Sequence, residues 1–366
     1  MEICNMTDFI IIGAGQAGLS IAYHLTQLKK DFLIIDANSE TGAPWLKRWD
    51  SLKLFTPTEF NHLPGLDFPS KKGYYPNKYE VAAYLKSYVD TFNIPITFNQ
   101  KITELKKENG HFILKSDTKT FKANNVIVAT GPFHKPFTPS FHSKISEEIV
   151  QIHSEHYKNP KQLQDGDALV VGSGDSGVQI LNEISQTDRK VYFSGDTNIT
   201  SIPQEILGKT LWWWFKKIGF LSVSKFSYIG KKLSKGGQPI IGTDVKTLLK
   251  KQNVCCVGRT LDAKNTKIKF EHGDYNTIKN VVWATGFKPN FEWIDGVTLN
   301  DYNYPKNYRG ISEVEGLYFL GLPWLFTRGS ATLGGVKKDA EFLSNYIKKL
   351  ETKPNYFNKI LKKKFA

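Results

Sequence analysis

Sulfur is scarce in this chain. It has three cysteines, Cys4, Cys255 and Cys256, and two methionines. No Cys-x-x-Cys pair exists, which excludes a dithiol redox centre, and so few thiols suit a reducing cytoplasm. No apolar run approaches the roughly 20 residues that span a bilayer, so no transmembrane segment is expected. The first strand pattern begins within ten residues of the start, leaving no room for a signal peptide. Those two observations give a cytoplasmic expectation. No Ser/His/Asp set, paired carboxylates or metal-ligand spacing stands out, so the chemistry is expected to come from bound cofactors. Acids are outnumbered, and the net charge is +14. The lysines are scattered and no nucleic-acid motif accompanies them, so no nucleic-acid partner is expected.

Glycine, in contrast, is placed with purpose. Two hexapeptides share one spacing: Gly13-Ala14-Gly15-Gln16-Ala17-Gly18 and Gly172-Ser173-Gly174-Asp175-Ser176-Gly177. Each follows an apolar run (residues 8–12 and 168–171) and opens a helical pattern (residues 19–28 and 178–184). In that context the first glycine permits a tight turn, the second lets backbone approach a pyrophosphate, and the third lets helix pack on strand. The helix N-terminus then offers free N–H groups to the anion. Asp36 ends the next apolar run, about twenty residues on, where an acid binds a ribose 2′-OH and repels a 2′-phosphate. The first site therefore expects FAD or NAD, and its place at the head of the chain favours FAD. After the second fingerprint, the strand at 190–193 ends near Ser194, with Asp196 close and no arginine following. A nicotinamide cofactor is expected there, with NADH and NADPH both open.

A second echo supports duplication. Residues 125–131, ending Ala129-Thr130-Gly131, resemble residues 280–286, ending Ala284-Thr285-Gly286. The two copies lie at nearly the same distance past Gly15 and Gly174. The expected fold is α/β, with two Rossmann-like dinucleotide-binding units, each three-layered on a parallel sheet, the second inserted in the first. The expected division is 1–160 with 285–366 for the FAD unit, and 161–284 for the NAD(P)H unit. Crossings are expected in the Pro/His-rich stretch 132–160 and at Lys288-Pro289-Asn290. A helix start is legible at Asn77 with Glu80 three residues on, and a hairpin at Asn109-Gly110. Trp212-Trp213-Trp214-Phe215 with Lys216-Lys217 has three readings: interdomain packing, the wall of a substrate tunnel, or a membrane-surface patch. The first two are favoured, because a two-domain cleft supplies the burial.

Several stretches together resemble the flavin-containing monooxygenases, in particular their short bacterial branch, flavoproteins associated with cation transport that have plant YUCCA-type relatives. They are residues 42–49, with Trp45 and Arg48; residues 52–57, with Leu54; Leu63-Pro64-Gly65; residues 283–287; and residues 316–321 with Arg328-Gly329-Ser330. The family signature is half present: His153 and Tyr157 match its end, while Glu147 and Ile149 stand at its Phe and Gly positions. Asp175 stands where the family carries Asn. The resemblance implies an FAD-dependent, NAD(P)H-driven monooxygenase. Such an enzyme forms a C4a-hydroperoxyflavin and oxygenates a small soft nucleophile with O2. An NAD(P)H oxidase or reductase, and a non-catalytic redox regulator of a transporter, are the rival readings. A homodimer is left open.

The candidate FAD contacts are Gly13, Gly15, Gln16, Ala17, Gly18, Asp36, Ala37, Trp45, Arg48, Leu54, Ile102, Thr130, Gly131 and Thr332. Those for NAD(P)H are Gly172, Gly174, Asp175, Ser176, Gly177, Ser194, Ala284, Thr285 and Gly286. Arg328 and His62 are the candidates for a catalytic role.

Overall fold

A computed structural model describes residues 2–275, 277–353 and 355–364. Two sheets organise them. In the larger, a parallel core runs in the order Leu317–Phe319, Lys119–Val128, Glu2–Ile12, Phe32–Ile35, Ile96–Thr97. Two short strands extend the Leu317–Phe319 edge antiparallel. The smaller sheet is parallel throughout, in the order Val254–Gly258, Val191–Ser194, Asp167–Val171, Ile278–Trp283, Val150–His153. The chain therefore leaves the first sheet after Val128, builds the second, and returns to pair Tyr318 beside Ile127. That is the nested arrangement expected from the sequence. The strand Val150–His153 precedes residue 160, yet it hydrogen-bonds within the second sheet.

The strands of both cores read as continuous apolar runs because both of their faces are covered. Ile10, Ile11, Ile34, Ile127 and Val126 are buried in one core, Leu169, Val170, Val191 and Val282 in the other sheet. Helix Gln16–Gln27 packs beside Lys337–Thr352 against the first sheet. A hairpin, Ile102–Glu108 with His111–Ser116, joins the sheet antiparallel through Lys119–Val128. Its turn residues Asn109 and Gly110 both hold positive φ, the geometry a two-residue type I′ turn requires.

Helix Lys78–Phe92 starts at the expected capping box. The Asn77 side chain accepts from the Tyr79 and Glu80 N–H groups, and Glu80 accepts from the Asn77 N–H. Its first residue, Lys78, is buried and does a second job. Lys78 Nζ donates to the Arg48 carbonyl at 2.6 Å and to Asp50 Oδ1 at 2.8 Å. Lys158 Nζ similarly holds the Lys47 carbonyl at 2.6 Å. These two ammonium groups satisfy the carbonyls that end the short helix Ala43–Leu46, and so fix where Trp45 and Arg48 point.

The crossings between the units lie side by side. Lys135–Pro136 pairs antiparallel with Phe287–Lys288, so the outgoing and returning segments are hydrogen-bonded to each other. Replacing Lys78 with Met leaves its carbonyl partners and Asp50 without their donor. A loss of about 2–4 kcal/mol in unfolding free energy, measured by urea titration, is expected.

Candidate functional site

The two fingerprints fold into matching cradles. Gly13 and Gly172 take φ of +112° and +123°. A Cβ on Gly13 would stand 2.7 Å from the Ala129 carbonyl oxygen, and one on Gly172 would stand 2.2 Å from that of Ala284. The third glycines, Gly18 and Gly177, are each closed by the carbonyl of the first, 1.9 Å from where a Cβ would sit. Around the middle glycines the position is reversed: a Cβ on Gly15 or Gly174 would meet nothing within 4 Å. Each forms the N-cap of its helix with no side-chain cap, Gln16–Gln27 and Asp175–Ile184 respectively. Free helical N–H groups beside open space are an arrangement that can take an anion.

Around the first cradle, Asp36 is buried at the end of Phe32–Ile35. Its Oδ2 accepts from the Ala14 N–H at 2.6 Å, and its Oδ1 from the Asn38 N–H at 2.7 Å. The carboxylate is held by these bonds beside the first cradle, with lone pairs to spare. Ala37 is exposed beside it, and Ile102 is buried at the start of the hairpin strand Ile102–Glu108. Gln16 Nε2 reaches the Ala331 carbonyl at 3.4 Å, bringing residues 329–335 to this cradle. Within that loop Thr332 Oγ1 donates to the Gly329 carbonyl at 2.7 Å. Ala17 is buried against Gly321. Trp45 packs partly buried against the main core, and Leu54 is buried with its N–H donating to the Pro76 carbonyl.

The glycine turns that face the cradles are each braced by a histidine. His134 Nδ1 accepts from the Asn290 N–H at 2.8 Å, so the proton sits on Nε2, 3.1 Å from Thr130 Oγ1. His153 Nδ1 accepts from the Glu155 N–H at 3.1 Å, and its Nε2 donates to the Gly286 carbonyl, also at 3.1 Å. Burial pushes both imidazoles below their usual range. Both are neutral positioning groups. Thr285 Oγ1 donates to the Phe137 carbonyl. Gly131 and Gly286 take positive φ, with open space where a Cβ would stand.

Arg48 joins the two turns. Its guanidinium lies 5.2 Å from the Phe133 ring and 5.7 Å from the Phe287 ring, residues that follow Gly131 and Gly286. Arg328 faces Asp175, the first residue of the second cradle's helix. Burial raises the Asp175 carboxyl, and the positive charge of Arg328 opposes that rise. Ser176 is partly buried beside it. His62 is set apart from these groups. Its Nε2 lies 2.5 Å from Lys337 Nζ, at the start of helix Lys337–Thr352, and burial with that neighbouring charge lowers its proton affinity.

A cavity of about 730 Å³ opens beyond the second cradle, lined by Gly172, Ser194, Asp196, Arg259, Glu271 and His272 among others. Ser194 is buried, with its Oγ 2.7 Å from Thr260 Oγ1. Arg259 went unseen in the sequence because it follows Val254–Gly258 rather than Val191–Ser194. Parallel pairing of Ser194 with Gly258 brings it to the same edge. Its backbone N–H donates to Glu271 Oε2 at 2.7 Å, and its guanidinium forms no ion pair among the described residues.

A family model described as pyridine nucleotide-disulphide oxidoreductase matches residues 10–207. The chain is 42% identical to the uncharacterized oxidoreductase CzcO-like of Geobacillus kaustophilus (strain HTA426), over 94% of this chain and 99% of that one. It is 28% identical to the probable indole-3-pyruvate monooxygenase YUCCA1 of Arabidopsis thaliana, over 92% and 89% of the two chains. Its fold is similar to that of the flavin-containing monooxygenase from Stenotrophomonas maltophilia. The TM-score is 0.76, at 23% identity, covering 94% of this chain and 99% of that one.

The cradle geometry separates folding from binding. Gly15→Val and Gly174→Val fill open space at ordinary φ and are expected to keep ligand-free stability within about 1 kcal/mol, while dinucleotide retention is lost. Gly18→Ala and Gly177→Ala force backbone apart and are expected to cost about 1–3 kcal/mol or more by thermal melting. The histidine braces predict a pH dependence. With folded pKa values below the ordinary 6.5, their contribution is complete above that pH and is lost as pH falls toward the folded values. His24 and His62 act in the same direction. A His134→Gln/His153→Gln variant is expected to show a shallower fall in melting temperature between about pH 7.5 and about pH 5.5.

Proposed function

Because this chain belongs to the pyridine nucleotide-disulphide oxidoreductase family, we propose that it is an FAD-dependent, NAD(P)H-driven monooxygenase acting on a small soft nucleophile, a nitrogen or sulfur centre. The unit of residues 1–160 with 285–366, less the strand Val150–His153, holds FAD. The unit of residues 161–284, with the strand Val150–His153 added, holds the nicotinamide cofactor. The observation that carries the reading is the convergence of two open cradles on one arginine: both glycine turns end in an aromatic ring that meets Arg48. Two dinucleotides bound there meet at their reactive ends. FAD held there by the residues of the first cradle would supply hydride acceptance from the nicotinamide and activation of O2 for transfer to substrate.

The chain's own work is orientation and exclusion of water. Helical N–H groups at Gly15 and Gly174 bind the two pyrophosphates, and Asp36 fixes the adenosine ribose of the first. Arg48 and Arg328 set positive charge at the junction, where reduced cofactors carry negative charge. Trp212 roofs the same side, donating Nε1–H to the Phe55 carbonyl at 2.8 Å and packing against the Phe55 and Phe60 rings. Relatives named as monooxygenases support this reading. Disulfide reduction lacks support: the first cradle carries Ala17, and Cys255 and Cys256 lie on a strand of the second sheet.

NADPH is the proposed reductant. Arg259 places a free cation at the ribose end of the second site, where it binds a 2′-phosphate as a planar fork. Asp196, on the same cavity, favours the NADH alternative by accepting from a ribose hydroxyl. Steady-state kinetics separate the two. The expected outcome is a higher kcat/KM for NADPH, with Arg259→Gln lowering the NADPH/NADH ratio roughly 10–100-fold. The purified protein is expected to be yellow, and NADPH oxidation with an organic sulfide or amine is expected to release little H2O2. Stoichiometric H2O2 with every such compound makes it an oxidase, and a colourless protein overturns the first-site assignment.

A further inference from the structure

The crossover between Val191–Ser194 and Val254–Gly258 spans residues 195–253 and carries helices Leu211–Lys217 and Tyr228–Lys235. Its middle leaves its own sheet and lies on the first unit. Trp212 binds the Phe55 carbonyl, the Lys225 N–H donates to the Phe326 carbonyl at 2.8 Å, and Ser222 accepts from Lys338 Nζ at 3.0 Å. The inward side is well satisfied: Trp214 Nε1 also donates to a carbonyl, that of Ile206, at 3.0 Å.

The outward side is of another character. Of eleven large apolar side chains exposed among the described residues, six fall within residues 207–229. Leu207 and Tyr228 are each 86% exposed, Ile218 70%, Ile229 60% and Trp213 40%. Residues 206–243 hold seven lysines and no acid. Six of those lysines are exposed; the seventh, Lys225, is partly buried, and the charge of Asp339 acts on it. On helix Tyr228–Lys235 the buried residue is Gly230, seated against Ser224. Tyr228, Lys232 and Lys235 therefore project from the opposite side.

Such a face needs an occupant that takes aliphatic and aromatic side chains and is negatively charged. We propose that residues 206–236 are a docking surface for an anionic lipid bilayer, on which the protein sits peripherally. Aromatic and aliphatic side chains enter the interface while lysines meet the headgroups. No helix among the described residues is long and apolar enough to cross a membrane, so the contact is confined to one leaflet. A second copy of the same face is opposed by its own uncompensated lysines. A nucleic acid has the charge but no use for exposed Leu207, Ile218 and Ile229. The inference does not rest on the monooxygenase reading, because vesicle binding is measured without turnover.

The test is co-sedimentation of the full chain with vesicles of phosphatidylcholine, alone or mixed with phosphatidylglycerol. Partition onto the mixed vesicles is expected to be at least about tenfold higher at low salt and to fall as salt rises. Tyr228→Asp/Ile229→Asp and Lys231→Glu/Lys232→Glu are each expected to lower it about tenfold, with unchanged melting temperatures. Leu261→Asp/Tyr302→Asp, at exposed apolar positions elsewhere, is expected to leave it unchanged. Equal partition onto neutral and anionic vesicles, or full binding by the charge-reversed variant, overturns the proposal. So does a dimer seen by light scattering that the same variants dissolve, since a second copy then owns the face. Binding to duplex DNA in place of vesicles overturns it in favour of nucleic acid.

Discussion

Everything in this molecule depends on backbone lying against backbone with no side chain between. At two places a glycine at positive φ ends a central strand and meets the carbonyl of an alanine on the neighbouring strand. Three residues after each middle glycine, another glycine closes on the first one's carbonyl. These contacts leave no room for a methyl group, so helix and strand sit at a fixed separation and the helix axis is aimed. Aim matters because a helix N-terminus binds an anion only where its free N–H groups point. The middle glycine, which packs against nothing, is the residue that keeps the aimed position open.

Duplication of that device creates the next constraint: the two cradles must be held in a fixed relation to each other. The structure meets it with short-range elements at the crossing. The two connecting segments pair as antiparallel strands, each glycine turn is held by a neutral histidine, and Arg48 lies beside the two rings that follow the turns, which also pack on each other. The histidines accept a backbone N–H at Nδ1 and donate from Nε2. That is a two-ended brace which a protonated ring cannot supply. Their burial and their function are therefore one fact: the low proton affinity keeps the brace intact near neutral pH. Lys78 and Lys158 act one layer further out, holding the carbonyls before Arg48 so that the guanidinium has a fixed origin.

What was legible in the sequence was whatever is encoded locally. Fingerprint, strand and helix are contiguous, so the cradles could be placed from residues 8–28 and 168–184 alone. The Asn77/Glu80 cap and the Asn109-Gly110 turn are also local, and the structure contains both. The nested order was readable because the chain repeats itself. Pairing across distance was not readable. The strand Val150–His153 joins the second sheet by hydrogen bonds to residues more than a hundred positions away, and its four residues carry no label of their own. Arg259 was missed for the same reason, being placed by the register of two parallel strands rather than by any motif. His134 gave no signal either, since its brace closes only when Asn290 returns from the second unit. The aromatic cluster was half legible: Trp212 and Trp214 are packed as expected, but the sequence does not say which ring faces out.

The crossover at residues 195–253 draws these threads together. Parallel strands require a connection of only about a dozen residues, and this one is several times longer. The extra length is spent on the other unit, where Trp212 stacks on Phe55 and Lys225 joins Phe326, so one covalent segment ties the second sheet's edge to the first unit. The strand that ends the crossover then delivers Arg259 to the cavity beside the second cradle. The contact with the first unit and the position of Arg259 on the cavity beside the second cradle are thus carried by a single connection, anchored at both ends in a parallel sheet. The lysine-rich, acid-free outer face lies on this connection and nowhere on either sheet.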